Sequence, residues 1–121
     1  MSERKRRSYW KGIWAEYLAA LYLMFCGYKI LARRYKTPVG EIDLVALKKD
    51  VVAIVEVKMR FHVADAMESV SRRSQHRIEK ATQHFLARHP RFSAHIIRFD
   101  VVAVGQNFSF RYLDNVWQAR S

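Results

Sequence analysis

Asp43, Glu56 and Lys58 are the residues in this chain whose types and spacing could do chemistry together. Side chains on one face of a strand recur every second residue, so Glu41 and Asp43 share a face, as do Glu56, Lys58 and Arg60. Lys48-Lys49-Asp50 reads as a polar turn between two strand-like runs. With the turn centred between Lys49 and Asp50, antiparallel pairing sets Leu47 against Val52, Val45 against Ile54, Asp43 against Glu56 and Glu41 against Lys58. Apolar pairs then lie near the turn and charged pairs at the far end.

Like charges facing each other across strands destabilise, and buried carboxylates resist ionisation. A positive partner is therefore expected between Asp43 and Glu56. A hard cation, Mg²⁺ or Mn²⁺, meets that need, because it takes oxygen ligands from one or two carboxylates and keeps waters for a substrate. Lys58, two residues beyond Glu56 on the same face, could orient or activate the water that attacks a phosphorus atom. The set suits phosphodiester hydrolysis, with the cation polarising phosphate and lowering the pKa of water. Glu16 is a further anomaly, a carboxylate among Tyr9, Gly12, Ala20 and Leu23 on an apolar helix face. Such a group needs a partner. Backbone, or an Arg from the sheet, is the simpler one; beside the strand carboxylates, Glu16 is also a candidate third ligand or supporting base.

The elements that must position these groups follow from periodicity. Residues 1–7 hold Arg4, Lys5, Arg6 and Arg7 and no large apolar side chain, which predicts a flexible basic arm ahead of one domain at 8–121. From Ser8 the apolar residues fall at helical spacing up to a stop at Gly27, a helix expected to be mostly buried. Strands are expected at Tyr28–Tyr35, Glu41–Leu47 and Val51–Phe61, the last central and antiparallel to its predecessor. His62–Glu68 lacks a period and reads as a loop. Met67, Val70, Ser74, Ile78, Ala81 and Phe85 define a helix closed by Pro90. His95–Val104 and Phe108–Leu113 alternate as strands around Gly105-Gln106-Asn107, and a short turn or helix is expected from Asp114.

Gly40-Glu41-Ile42-Asp43-Leu44-Val45-Ala46, followed by Val55-Glu56-Val57-Lys58, resembles the YraN-like family of uncharacterised bacterial proteins. That family looks like a small branch of the PD-(D/E)XK nuclease superfamily, close in pattern to archaeal Holliday junction resolvases. Gly12-Ile13-Trp14-Ala15-Glu16, Cys26-Gly27-Tyr28 and Arg98-Phe99-Asp100-Val101-Val102 extend the likeness over most of the chain. It implies an α/β class, a single restriction-endonuclease-like domain with a central mixed β-sheet flanked by helices. Glu16, Asp43, Glu56 and Lys58 would occupy the superfamily's acidic and lysine positions, and Gln75 resembles a helix glutamine near the site. Ser74 stands where relatives carry Lys, which would weaken the grip on phosphate.

Composition narrows the partners. One core and one site are what 121 residues can support. Lys and Arg outnumber Asp and Glu by 22 to 11, a formal charge of +11 that attracts polyanions, nucleic acid or an anionic surface. The uncharged stretch Tyr17–Tyr28 is shorter than the roughly 18 residues a membrane span requires, so no membrane association is expected. A single cysteine, Cys26, fits a reducing cytoplasm. Arg73, Arg77, Lys80, His84 and Arg88 recur along one stripe of the middle helix; a solvated face is the simpler account, but the net charge and neighbouring site favour phosphate contact. Arg33, Arg34, Lys36 and Arg60 could extend that patch. The five His residues offer no close-set zinc pair, and no phosphate-binding glycine loop or nucleophile serine is present.

The sequence thus points to a Mg²⁺-dependent endonuclease acting on DNA ahead of RNA, with branched or structured DNA as one substrate and a homodimer as one assembly. The alternative is a non-catalytic DNA/RNA-binding module, or an accessory subunit of a DNA-processing complex, that keeps the nuclease fold.

Overall fold

A computed structural model describes residues 3–60, 63–105 and 109–119. The first helix, α1, spans Glu3–Phe25, so it begins inside the basic segment expected to be an arm. It stops where foreseen: Gly27, at φ +95°, lets the Tyr28 amide reach the Leu23 carbonyl (2.9 Å) and its own amide the Met24 carbonyl (3.0 Å). Only a residue without Cβ takes that left-handed turn at no steric cost.

Strands β1 (Lys29–Thr37), β2 (Gly40–Lys48) and β3 (Val51–Met59) form an antiparallel meander. Helices α2 (Val63–Glu68) and α3 (Arg72–Arg88) and a single 3₁₀ turn (Pro90–Phe92) cross over to β4 (Ile96–Val104), parallel to β3, and β5 (Phe110–Trp117) closes the sheet antiparallel to β4. The order is β1-β2-β3-β4-β5. β3 is central, as its β-branched run required, and Val52, Ala53, Ile54 and Val55 are all buried because each face of the sheet carries a helix. On one face Ala15, Ala19, Ala20 and Leu23 of α1 pack on Leu44, Ala46, Ala53, Val55, Val102 and Val104; the alanines bring the helix close to the sheet. On the other, Ile78, Ala81 and Phe85 of α3 pack on Val45, Val52, Ile54, Phe99 and Val101. The result is a single small α/β domain, a mixed sheet with helices on both faces, of restriction-endonuclease-like architecture.

Three expectations fail. α1 is not mostly buried: Trp14, Leu21 and Phe25 are 63, 61 and 91% exposed, since the sheet covers only one side of it. Residues 63–68, read as a loop, form α2; one and a half turns are too short to leave a period in sequence. The segment after Asp114 stays in β5. There Asn115, at φ +52°, points its amide at buried Asp100 (2.9 Å), and Trp117 stacks on Phe99 with ring centres 5.0 Å apart while donating to Glu79 (3.1 Å). Those tertiary contacts outweigh the turn-forming character of Asp114-Asn115. Arg98 and Asp100, two apart on β4, pair at 2.8 Å, and the pair is enlarged by the Tyr28 and Tyr112 hydroxyls, both of which accept from Arg98; Tyr112 also donates to Asp100. With Asp100 fully buried, this ring of partners is what makes its charge tolerable. No helix among the described residues is long and apolar enough to cross a membrane.

The β1–β2 hairpin is held by Thr37, whose hydroxyl accepts from the Gly40 and Val39 amides and donates to the Gly40 carbonyl. Gly40 itself lies against α3, where a Cβ would stand 2.5 Å from the Arg77 carbonyl oxygen. Backbone meets backbone there and neither can yield cheaply. Gly40→Ala is expected to lower stability by about 1–3 kcal/mol, read as a lower midpoint in urea unfolding.

Candidate active site

Pairing between β2 and β3 follows the expected register, Leu47↔Val52 and Val45↔Ile54, and ends at Leu44↔Val55. Asp43↔Glu56 and Glu41↔Lys58 were expected to continue the ladder and do not. The strands part at this point, and Arg34, the residue of β1 alongside, sits at φ +51°. Leu44 and Ile42, two apart, pack in cores on opposite faces of the sheet, so the alternation breaks at Asp43. Instead of standing above the sheet, the Asp43 carboxylate enters the gap and accepts the Val57 amide at 2.8 Å. A side chain thus does the work of a ladder carbonyl.

The displacement brings Asp43 to Glu56, whose carboxyl hydrogen-bonds to it. Burial first, then the Asp43 charge and this hydrogen bond, push the Glu56 pKa from 4.5 up to about 9, and Lys58 only partly offsets them. Lys58 Nζ lies 3.6 Å from Glu56 Oε1. Glu16 approaches from α1: burial and the charge of Asp43 raise its pKa, while Arg34, with Nε 3.7 Å from Glu16 Oε1, opposes them. The simpler account of Glu16, an Arg from the sheet, is therefore observed, and Glu16 also joins the field of Asp43. Sequence reasoning placed Arg34 on phosphate and missed this pairing; the only signal would have been the strand irregularity that turns it toward the helix.

The other candidates divide. Arg33 lies over the Tyr17 ring, 4.5 Å from its centre, and Lys36 is exposed beside it on β1. Arg60 is exposed, with its guanidinium on the Met59 carbonyl (2.8 Å). On α3, Arg73, Arg77, Lys80 and Arg88 are all exposed, whereas His84 is turned to the Tyr35 hydroxyl (3.3 Å). Gln75 donates to the Val70 carbonyl (3.2 Å), a contact that serves the α2–α3 corner. Ser74 serves the helix start: its amide donates to the hydroxyl of the capping residue Ser71 (3.2 Å), and Ser71 donates back to the Ser74 hydroxyl.

Two carboxyl groups this close in a half-buried gap, with Glu56 pushed toward its neutral form, are a donor set that fits a divalent cation, whose charge would favour the carboxylate of Glu56. Among the described residues no three acidic, His or Cys groups converge closely enough to form a ready-made cage, so Asp43 and Glu56 are the pair that fits and Glu16 stands off on Arg34.

The family model described as Uncharacterised protein family UPF0102 matches residues 15–104, a span that contains Glu16, Asp43, Glu56 and Lys58. Similar proteins include a "UPF0102 protein" of Chelativorans sp. strain BNC1, 46% identical over 116 residues that make up 96% of this chain and 94% of the relative. The "UPF0102 protein Atu0303" of Agrobacterium fabrum is 48% identical over 103 residues, 85% of this chain and 84% of that protein.

A carboxyl whose pKa rises on folding favours the folded state while it is protonated. That contribution is complete below pH 4.5 and is lost as pH climbs toward about 9. Glu56→Gln keeps the neutral shape without the titration. In thermal melts without divalent cations the variant should gain on the wild type steadily from acid to alkaline pH; parallel curves would show that Glu56 ionises freely.

Proposed function

The chain belongs to the UPF0102 (YraN) family, and from that premise and the geometry of its strand gap we propose a metal-dependent nuclease that hydrolyses phosphodiester bonds in DNA. The observation that carries this reading is the Asp43–Glu56 pair with the Lys58 ammonium alongside it, at the point where β2 and β3 separate. Asp43 and Glu56 would hold Mg²⁺ or Mn²⁺, which when bound neutralises phosphate charge and lowers the pKa of water. Asp43 is fixed for this by the Val57 amide, which spends one lone pair and leaves the other oxygen to face the gap. Lys58 positions the attacking water and is itself held by Glu56. Glu16 adds negative field from the α1 side, with Arg34 limiting it.

Duplex or branched DNA would lie across the exposed cations of α3 and β1: Arg73, Arg77, Lys80 and Arg88 on the helix, Arg33 and Lys36 on the strand, with Arg60 at the end of β3. The packing of Gly40 against Arg77 ties these two surfaces to the strand that carries Asp43. A cytoplasmic setting fits both the substrate and the free thiol of Cys26.

Nicking of supercoiled or junction DNA should require Mg²⁺ or Mn²⁺. Asp43→Asn should abolish it, and Lys58→Ala should slow it by roughly 10²–10⁴-fold. Nicking that survives both substitutions, in protein free of host nucleases, would end the proposal. Salt-sensitive binding without cleavage, together with no calorimetric uptake of Mn²⁺, would support the non-catalytic binder instead. Either reading gives α3 the same task. Arg77→Ala and Lys80→Ala should each weaken DNA binding without regard to sequence and reduce the slope of log affinity against log salt by about 1; unchanged slopes would move the contact surface elsewhere.

A further inference from the structure

The sheet covers one side of α1 and leaves the other in water. Trp14, Tyr17, Leu21, Met24 and Phe25 are exposed and fall on one side of the helix, opposite buried Ala15, Ala19 and Leu23, while Tyr22 is turned onto the Phe110 and Tyr112 rings of β5. With aromatic side chains carrying about 150–250 Å² each, the five expose roughly 600–700 Å², at or above the ~300–600 Å² of the largest apolar patch on a typical monomer.

Their spacing is specific. Trp14 and Leu21 stand seven apart, and so do Tyr17 and Met24, offset by three. This is the a and d pattern of a seam that packs against another helix. The area approaches the ~800 Å² that each partner gives to a standard-size protein interface.

Charge sets the direction. The first turns of α1 carry Arg4, Lys5, Arg6 and Arg7, and its last turn carries no basic residue. Two such helices side by side in parallel would set eight cations against each other. An antiparallel array keeps the two basic ends apart, at opposite ends of the pair.

We propose that α1 pairs antiparallel with α1 of a second copy of this chain, Trp14 beside Met24 and Tyr17 beside Leu21 across the twofold axis. The pairing does not rest on the carboxylate site, to which none of these side chains belongs, and it meets the proposed DNA surface only at Tyr17, whose ring carries Arg33. It leaves the Glu16 side of α1 facing its own sheet.

Sedimentation of the full chain tests it. At tens of micromolar the wild type should run as a dimer, and Leu21→Arg should weaken the dimer by at least about tenfold, with its far-UV circular dichroism unchanged because Leu21 is exposed in the single copy. A second measurement stands apart from the fold of that variant. In a Cys26→Ser background, Trp14→Cys combined with Met24→Cys should form a disulfide-linked dimer on mild oxidation, and Trp14→Cys alone should not. A chain that stays monomeric, a dimer indifferent to Leu21→Arg, or self-crosslinking by Trp14→Cys alone overturns the arrangement. So does a monomer that co-sediments with vesicles of anionic phospholipid, which would assign the stripe to a membrane surface.

Discussion

Where β2 and β3 separate, the amide of Val57 is met by a carboxylate rather than a carbonyl, and the rest of the site follows from that substitution. An unbonded amide in a half-buried sheet costs of order 1–3 kcal/mol, so the strands can diverge only if some side chain takes it. Asp43 is the side chain that does. In doing so it is drawn down between the strands to Glu56, whose carboxyl is pushed toward its neutral form by burial and by the Asp43 charge. The opening of the sheet, the low polarity of the gap and the affinity for positive charge are one arrangement seen at three scales. Asp43 therefore has a structural task as well as a chemical one, and truncating it to Ala would disturb both.

Much of this was legible in the residues. Period-two patterning and the Lys48-Lys49-Asp50 turn fix the register of β2 on β3 as far as Leu44↔Val55, and the pairing of Asp43 with Glu56 expected beyond it does not form. What alternation could not supply was the place where alternation ceases. Strand logic assumes that each side chain keeps its face, and at Asp43 the chain departs from it, because satisfying Val57 outweighs the pleat. The positive φ of Arg34 and its hold on Glu16 were hidden for the same reason. The end of β5 was missed differently. Asp114 and Asn115 favour turns locally, while the buried Asp100, 15 residues earlier on the neighbouring strand, requires the Asn115 amide.

The two helices divide the labour of covering the sheet in contrasting ways. α3 has a polar outer face rich in Arg and Lys and a narrow buried stripe, as a surface helix should. α1 buries small residues and exposes large ones, the reverse of what burial statistics favour. The alanines explain the close approach to the sheet and the room for Glu16 to reach Arg34; they do not explain the rings on the far side. Helical spacing alone could not distinguish these cases, since a helix apolar all round reads the same whether one side or two find a partner.

Gly40 bears on how the domain would move. Where β1 turns into β2, the chain rests directly on the carbonyl of Arg77 with no side chain between as a cushion. Contacts through side chains have slack, because rotamers can adjust; a seat of main chain on main chain has almost none. The hairpin and α3 consequently cannot slide past each other at this point without a main-chain clash, and β2 is seated on the helix three residues before Asp43.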